Sequence, residues 1–226
     1  MIEITDLSKQ YGTLKVLENI SITFGKGNVY GVAGENGAGK TTLFRCIAGL
    51  ETYQGQIVSE MKPLKNCLGF LPAEPYFFPR MTAMEYIRLL ANARKRKLDD
   101  IESKNIFDLP LNRYVSGFST GMKKKLAITA ILLQGNTYFL LDEPFNGIDM
   151  QGNLIVTEII HRLKALNKTV ILSSHIFSTL TETCDEICLL NEGKLCKLVQ
   201  KSDFKELESE MKSFLIGKKI EKLNII

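Results

Sequence analysis

The stretch GENGAGKTT, residues 34–42, limits the possible folds more than any other part of the chain. It matches the pattern G-x-x-x-x-G-K-[ST], in which glycines allow a tight turn whose backbone N–H groups point at an anion. The apolar run VYGVAG before it predicts a buried strand, and the apolar spacing from Gly39 to Leu50 predicts a helix with a positive N-terminus. A chance glycine-rich turn is the alternative, but these flanks favour a phosphate-binding loop, or P-loop.

The rest of the chain alternates strand and helix patterns. Strands are predicted at IEIT and VLENISITF before the P-loop, and at YFLLD (138–142) and TVILSS (169–174) after it. A helix from about Gln151 to Leu166 separates the last two strands. This alternation predicts an α/β fold, a nucleotide-type core with a mainly parallel sheet and helices packed on it.

A helical insertion interrupts this core. A helix-rich stretch is predicted from Thr82 to about Phe107, and a further helix follows it. The apolar face of that further helix consists of Met122, Leu126, Ala130 and Leu133. Together these helices predict a helical subdomain at about residues 74–134, and the charge-balanced tail, about 201–226, is also predicted to be helical. Because no repeat or low-complexity linker divides the chain, residues 1–226 are predicted to form a single domain.

Composition argues against several classes of partner and site. With 29 basic and 25 acidic residues, the net charge of +4 is too mild to favour a nucleic-acid partner. Five cysteines without a CxxC pair predict reduced thiols in the core, and two histidines are too few to expect a zinc cluster. No apolar run reaches the roughly 18 residues of a membrane span, and MIEITDLSKQ has no signal-peptide pattern. We therefore expect a cytosolic protein.

Residues that could act on a nucleotide stand in the P-loop and at the end of a later strand. Lys40 would reach the β- and γ-phosphates, and the Thr41 hydroxyl would bind Mg²⁺, a hard cation that prefers oxygen ligands. The strand FLLDEP would place Asp142 and Glu143 at the carboxyl edge of the sheet. There Asp142 would hold Mg²⁺ through water, and Glu143 would take a proton from an attacking water. Adjacent carboxylates at a strand end often only cap a helix or turn, but the P-loop favours the catalytic interpretation.

A third strand, VILSSH, delivers His175 to the same edge of the sheet. An imidazole there could hydrogen-bond the γ-phosphate and orient the water. Taken alone, His175 would be interpreted as a satisfied core histidine. Beside two carboxylates and a P-loop, it completes the prediction of a site that hydrolyses a nucleotide.

In this order, the motifs resemble those of the ATP-binding subunit of ABC transporters over nearly the whole chain. GENGAGKTT resembles its Walker A loop, FLLDEP its Walker B strand with Glu143 as catalytic carboxylate, NGID (146–149) its D-loop, and SSH its switch-histidine segment. Tyr11, in KQYG, stands where the family stacks an aromatic ring on adenine, although a strand-end tyrosine can also pack on the core. The resemblance implies ATP and Mg²⁺ as cofactors. It also implies a P-loop NTPase core with an N-terminal antiparallel β subdomain and a helical subdomain insertion.

The stretch FSTGM, residues 118–122, lies where the family has its LSGGQ-type signature. The resemblance implies that two subunits pair head to tail, and that Ser119 and Gly121 of one close on the γ-phosphate held by the other. Physically, this is a second helix N-terminus aimed at an anion. The lysines at 123–125 interact unfavourably with the positive end of the helix dipole unless an anion is near. Alternatively, they are solvated or paired with acidic neighbours. The nucleotide-contacting residues that the resemblance implies are Tyr11, Gly34, Glu35, Asn36, Gly37, Ala38, Gly39, Lys40, Thr41, Thr42, Ser119 and Gly121.

Three positions depart from the family's usual pattern. In GFLPAEPYFF, residues 69–78, Ala73 stands where the family usually has a glutamine that contacts Mg²⁺ and the water. Glu74 or a water would have to substitute for that ligand. Thr120 and Met122 differ from the commonest signature, but the form S-x-G-M-K resembles subunits of exporter-type, ABC-2-like systems.

The same segment combines prolines and aromatic residues. Prolines at 72, 75 and 79 should keep it out of regular structure and place the aromatic residues 76–78 on a loop. If the rings are exposed, they would form a docking patch for a membrane subunit. If they pack inward, they belong to the core of the helical lobe, and the sequence leaves both alternatives open.

The resemblance implies a function and its partners. The chain would bind and hydrolyse ATP to power transport through a separate membrane-spanning subunit, as a dimer of ATP-binding subunits, expected to be a homodimer, peripheral on the cytoplasmic face of the membrane. A DNA-repair ATPase of the same superfamily would have a long heptad-patterned insertion, and a ribosome-associated member would carry two such modules. A P-loop kinase would have no use for FSTGM. No nucleic-acid partner is therefore expected.

Overall fold

The computed structural model describes residues 1–212. Strands and helices alternate along this part of the chain, with three short 3₁₀ turns between them. The elements are β1 (Ile2–Tyr11), β2 (Leu14–Phe24), β3 (Val29–Ala33), α1 (Lys40–Ile47), β4 (Gln54–Ser59), β5 (Leu68–Leu71), α2 (Ala83–Ala93), α3 (Thr120–Leu133), β6 (Tyr138–Asp142), α4 (Met150–Ala165), β7 (Thr169–Ser174), α5 (Phe177–Thr183), β8 (Glu186–Asn191), β9 (Lys194–Gln200) and α6 (Phe204–Lys212).

The larger sheet has six strands in the order β5-β6-β7-β3-β8-β9. All neighbouring strands in it are parallel except β8 and β9. Three central strands, β3, β6 and β7, are buried along their whole length, which explains the apolar runs VYGVA, YFLL and VIL within them. Because these three strands are parallel, the segments that follow them lie at one edge of the sheet. The predicted α/β fold with a mainly parallel sheet is confirmed.

The smaller sheet is antiparallel, in the order β2-β1-β4. Along β1, Ile2 and Ile4 are buried while Glu3 is exposed, the alternation of a sheet with one solvated face. The buried face packs with α1 and the larger sheet around a core that includes Phe44 and Tyr138. The predicted N-terminal antiparallel β subdomain is thereby confirmed.

Helix α2 is shorter than the sequence predicts. It begins at a capping box, in which Glu85 N donates to Thr82 Oγ1 at 3.2 Å and Thr82 N donates to Glu85 Oε2 at 2.8 Å. It ends at Ala93, so the prediction of a helix-rich stretch up to Phe107 is wrong beyond that residue. Lys95 has a left-handed backbone with φ 54°, and the run KRKLDD contains a single apolar residue, Leu98, too few for the apolar face of a helix.

Helix α3 is buried on nearly all sides. Every residue from Leu126 to Ile131 is buried, so this helix lies in the interior, next to α2. It connects the helical part of the chain to the strands of the larger sheet. The limits of a helical subdomain at about residues 74–134 stay a prediction.

Strand β5 corrects the prediction for residues 69–78. The prolines do not keep the start of that segment out of regular structure, because β5 extends to Leu71. Pro72 follows the last β5–β6 pair, Leu71 with Leu141, so its missing N–H removes no hydrogen bond from the sheet.

The C-terminal side of the described chain agrees with most expectations. The predicted helical tail is present as α6 up to Lys212, and residues 213–226 lie outside the described residues. The cysteines are free thiols, and four are buried, but Cys196 is exposed on the edge strand β9, so the prediction of a core thiol is wrong there. Within residues 1–212, no helix is both long enough and apolar enough to cross a membrane.

Candidate functional site

The P-loop joins the end of β3 to the start of α1. Gly37 and Gly39 have φ angles of 86° and 105°, which side chains other than glycine rarely allow. A Cβ on Gly34 would lie 2.3 Å from the carbonyl oxygen of Leu190, so only glycine fits there. The loop is therefore a tight backbone turn at the N-terminus of a helix, a geometry suited to an anion.

Lys40 is buried with its ammonium inside this loop. Its Nζ donates to the carbonyl oxygens of Gly34 at 2.7 Å and Glu35 at 3.1 Å, and lies 3.9 Å from Glu143 Oε1. Burial lowers the pKa of Lys40, whereas the negative charges of Glu143 and Asp142 act in the opposite direction. A bound phosphate can replace the two carbonyls as the acceptor of these N–H bonds.

Asp142 is fully buried at the end of β6. Its carboxylate accepts from Thr41 Oγ1 at 2.7 Å and from Ser173 Oγ at 2.5 Å. A carboxylate and a hydroxyl held this close are the oxygen ligands that Mg²⁺ prefers, and the P-loop beside them would supply phosphate oxygens. The residues present therefore fit a magnesium ion bound together with a nucleotide.

Glu143 and His175 meet at the same edge of the sheet. Glu143 has a left-handed backbone with φ 48°, and its N–H donates to Ser173 Oγ at 3.0 Å. Its Oε2 lies 2.9 Å from His175 Nδ1. The His175 side chain is 44% exposed, so it is not a core histidine. The structure thus brings a carboxylate and an imidazole together next to the P-loop, where a water could be deprotonated.

Tyr11 lies at the end of β1 with 42% of its surface exposed, so its ring does not pack in the core. The ammonium of Lys9 stands over the ring, 4.6 Å from its centroid. The Tyr11 hydroxyl lies beside the side chains of Glu51 and Thr42. This places the Tyr11 hydroxyl next to Thr42, at the end of the P-loop.

The FSTGM segment lies at a different helix N-terminus. Ser119 caps α3, with its Oγ accepting from Met122 N at 3.2 Å. A Cβ on Gly121 would lie 2.5 Å from the carbonyl oxygen of Gly147, so this end of α3 packs against the NGID segment. Within residues 1–212, no hydrogen bond joins Ser119 or Gly121 to the P-loop of the same chain.

The lysines at 123–125 have different surroundings. Lys125 forms an ion pair with Asp149, with Nζ 2.7 Å from Oδ2. Pairing with an acidic neighbour is one of the alternatives that the sequence leaves open. Lys124 is 2% exposed, so the prediction of a solvated side chain is wrong for it. Sequence reasoning missed this residue, although its spacing places it on the same buried face of α3 as Ala127 and Ile128.

The segment after β5 contains both predicted arrangements of the aromatic residues. Tyr76 and Phe78 are 73% and 51% exposed and contact each other edge to face, with ring centroids 5.6 Å apart. Phe77 packs inward against Tyr86, with centroids 4.5 Å apart. Ala73 offers no polar side chain, and its carbonyl oxygen accepts a hydrogen bond from Lys124 at 2.6 Å.

Comparisons with known proteins identify the family. The family model described as ABC transporter matches residues 17–146, more than half of the chain. The chain belongs to the ABC transporter family. The ABC transporter ATP-binding protein NatA of Bacillus subtilis (strain 168) is 34% identical over 215 residues, which cover 86% of this chain and 87% of NatA. The bacitracin transport ATP-binding protein BcrA of Bacillus licheniformis is 34% identical over 233 residues, which cover 95% of this chain and 74% of BcrA.

A solved structure has the same fold as this ABC transporter chain. The dimeric ATP-binding cassette MJ0796 in a post-hydrolysis state, bound to ADP and Pi, superposes with a TM-score of 0.81 at 18% identity, covering 89% of this chain and 99% of that one. The predicted family and fold are confirmed, and so is the predicted function of an ATP-binding subunit of a transporter. The roles of individual residues stay predictions.

Proposed function

We propose that this chain binds ATP together with Mg²⁺ and hydrolyses it to drive transport through a separate membrane-spanning subunit. The observation that supports this most strongly is the convergence of three groups at one sheet edge: Lys40 in the P-loop, Asp142 bonded to Thr41, and Glu143 beside His175. An anion-binding loop next to a buried carboxylate and a separate carboxylate–imidazole pair suits the hydrolysis of a phosphoanhydride.

Binding would use the P-loop and the exposed ring of Tyr11. The N–H groups of residues 34–42 and the Lys40 ammonium would hold the β- and γ-phosphates, and adenine would stack on the face of Tyr11 that Lys9 leaves open. Thr41 and Asp142 would hold Mg²⁺, the latter through water. When bound, this ion neutralises charge on the phosphate oxygens.

Hydrolysis would use Glu143 as the general base. Its carboxylate would accept a proton from a water aligned with the γ-phosphate, and His175 would fix the carboxylate and hydrogen-bond the phosphate. Lys40 lies 3.9 Å from the other oxygen of the same carboxylate, so the proposed base stands directly beside the P-loop.

The site would be completed by a second copy of the chain, giving a head-to-tail homodimer. Ser119 and Gly121 stand at the N-terminus of α3, which carries a partial positive charge. In the described part of the chain, neither residue is hydrogen-bonded to the chain's own P-loop. In the dimer, this helix end would face the γ-phosphate held by the partner. The dimeric arrangement of MJ0796, which shares the fold, supports this proposal.

The membrane-spanning partner would dock on the loop after β5, with the chain held at the cytoplasmic face of the membrane. Exposed rings of Tyr76 and Phe78, together on one loop, are typical of a protein-binding surface. The S-x-G-M-K signature and the bacitracin transport relative favour an exporter-type system. Purification of the chain from membranes should recover a multi-span protein, and recovery of ribosomes or nucleic acid in its place would contradict this assignment.

Ser119→Arg tests the role of the signature. The substitution puts a bulky side chain where the partner's γ-phosphate should dock, while the chain's own P-loop is unchanged. We expect ATP binding by the monomer to stay within about twofold and steady-state hydrolysis to fall about a hundredfold or more, since the loss of several phosphate contacts exceeds roughly 3 kcal/mol. Calorimetry measures ATP binding by the monomer, and a phosphate-release assay measures the rate of hydrolysis.

The matched control is Ser202→Arg, which makes the same change at an exposed serine in the 3₁₀ turn before α6. It should behave like the unmodified chain. If Ser119→Arg abolished nucleotide binding by the monomer, or left hydrolysis normal, the assignment of the signature to the partner's site would be wrong.

A further inference from the structure

Lys124 is the most deeply buried lysine among the described residues, with 2% of its surface exposed. It lies in the second turn of α3 and reaches the larger sheet. Its Nζ donates to the carbonyl oxygen of Ala73 at 2.6 Å and to the carbonyl oxygen of Glu143 at 3.1 Å. One ammonium therefore links three segments: the signature helix, the loop after β5 and the residue after β6.

The two carbonyls lie where the β5–β6 ladder stops. The last β5–β6 pair is Leu71 with Leu141, and Ala73 and Glu143 each follow two residues later. Past this point the two strands no longer bond to each other, so their carbonyl oxygens need other donors. Lys124 supplies a donor to both and holds the two strand ends together.

A charge in this place is costly unless it is compensated. An apolar side chain could fill the same buried space on α3 without desolvating an ammonium. Burial lowers the pKa of Lys124, and the carboxylates of Asp142, Glu143 and Glu74 act in the opposite direction by favouring its charged form. The ammonium is thus stabilised by the carbonyls and carboxylates of the site itself.

Glu143 needs such an anchor because its backbone is strained. A φ of 48° is uncommon for a residue with a side chain and persists only where neighbouring groups hold it. Its N–H is held by Ser173 Oγ, and its carbonyl oxygen accepts from Lys124 and, at 3.2 Å, from Asn146 N. The direction of the carboxylate follows from the conformation of this backbone.

We propose that Lys124 is a positioning residue for hydrolysis, which orients Glu143 through its carbonyl and ties it to the loop at Ala73. The inference rests on the proposed role of Glu143 as general base. In this chain, the side chain of Ala73 cannot reach the site, and Lys124 provides the connection between that loop and Glu143 through two backbone carbonyls. Lys124 itself touches neither the nucleotide nor the attacking water.

Lys124→Met removes the ammonium and keeps much of the side-chain volume. We expect kcat for ATP hydrolysis to fall about tenfold to a hundredfold, as for the loss of two hydrogen bonds from a charged donor. KM and the MgATP affinity measured by calorimetry should stay within about twofold, because the P-loop is unchanged. The control is Lys104→Met, the same change at an exposed lysine between α2 and α3, and it should leave kcat unchanged. Normal kcat in Lys124→Met would overturn the proposal.

A double substitution distinguishes a positioning role of Lys124 from a general destabilisation of the fold. When Glu143→Gln has already removed the base, adding Lys124→Met should lower the residual turnover no further, since there is no base left to orient. If the second substitution lowers the residual turnover by the same factor as in the unmodified chain, the role of Lys124 is structural and the proposal fails. If Glu143→Gln alone retains full turnover, the proposed function of Glu143 fails instead.

A conservative variant covers the case in which Lys124→Met does not fold. Lys124→Arg keeps the charge and several N–H donors, so it should retain the thermal unfolding midpoint and more of kcat than Lys124→Gln. MgATP affinity should be the same in both variants. If affinity falls in step with kcat across the two, Lys124 supports the whole site and does not position Glu143.

Discussion

Glu143→Gln is expected to retain MgATP binding and to slow hydrolysis about a hundredfold or more, because a carboxamide cannot accept the proton of the attacking water. The substitution keeps the size of the side chain and its hydrogen-bonding reach toward His175. It also removes a negative charge close to Lys40, so nucleotide affinity should not decrease. ATP that is bound but not hydrolysed should then hold two chains together, which gel filtration with and without MgATP measures directly.

The matched control is Glu158→Gln, at an exposed position on α4. It should hydrolyse ATP at the normal rate and show no ATP-dependent change in elution. The role of Glu143 as base would be wrong if its glutamine variant eluted identically with and without MgATP while turnover stayed normal.

Lys40→Ala is expected to abolish nucleotide binding and with it all turnover. The ammonium lies inside the P-loop, where a phosphate would take over bonds that now go to Gly34 and Glu35. Losing two such charge-assisted bonds, at about 1.5 to 3 kcal/mol each, lowers affinity by about a hundredfold or more. Calorimetric titration with MgATP measures the loss.

The thermal unfolding midpoint of this variant must be measured beside its affinity, since the substitution leaves a buried space and two carbonyls without their donor. Lys26→Ala, at an exposed lysine before β3, serves as control and should bind normally. Undiminished MgATP affinity in a folded Lys40→Ala chain would remove the assignment of the P-loop.

The sequence predicts those parts of the site that depend only on the order of strands and motifs along the chain. The P-loop, Glu143 and His175 each follow a buried parallel strand, and Asp142 ends one of them. The carboxyl ends of parallel strands meet at one edge of the sheet. Their proximity therefore follows from topology alone. The bonds that join them, such as Thr41 to Asp142, are side-chain details that the pattern does not contain.

The parts that the sequence does not predict depend on tertiary contacts. Lys124 stands in a run of three lysines, which is typical of a solvated face, and its partner Ala73 is 51 residues away along the chain. The strand β5 has only four residues and ends at a proline, and β9 is an edge strand with most of its side chains exposed. Segments this short or this exposed contain too few apolar residues for the hydrophobic period of a strand to be recognised.

We propose that each ATP is held between the P-loop of one chain and the signature of another. Two variants damage opposite halves of this site: Lys40→Ala removes the P-loop contact, and Ser119→Arg blocks the signature. Both are made in the Glu143→Gln background, so that bound ATP is not consumed. When the two variants are mixed, one of the two sites in a mixed dimer contains an intact P-loop facing an intact signature.

The measurement is the amount of labelled ATP that stays with the dimer through gel filtration. Glu143→Gln alone should retain about two ATP per dimer, each doubly substituted chain alone none, and the mixture about one per mixed dimer. No retention in the mixture, or full retention by the Ser119→Arg chain alone, would contradict a site shared between two chains.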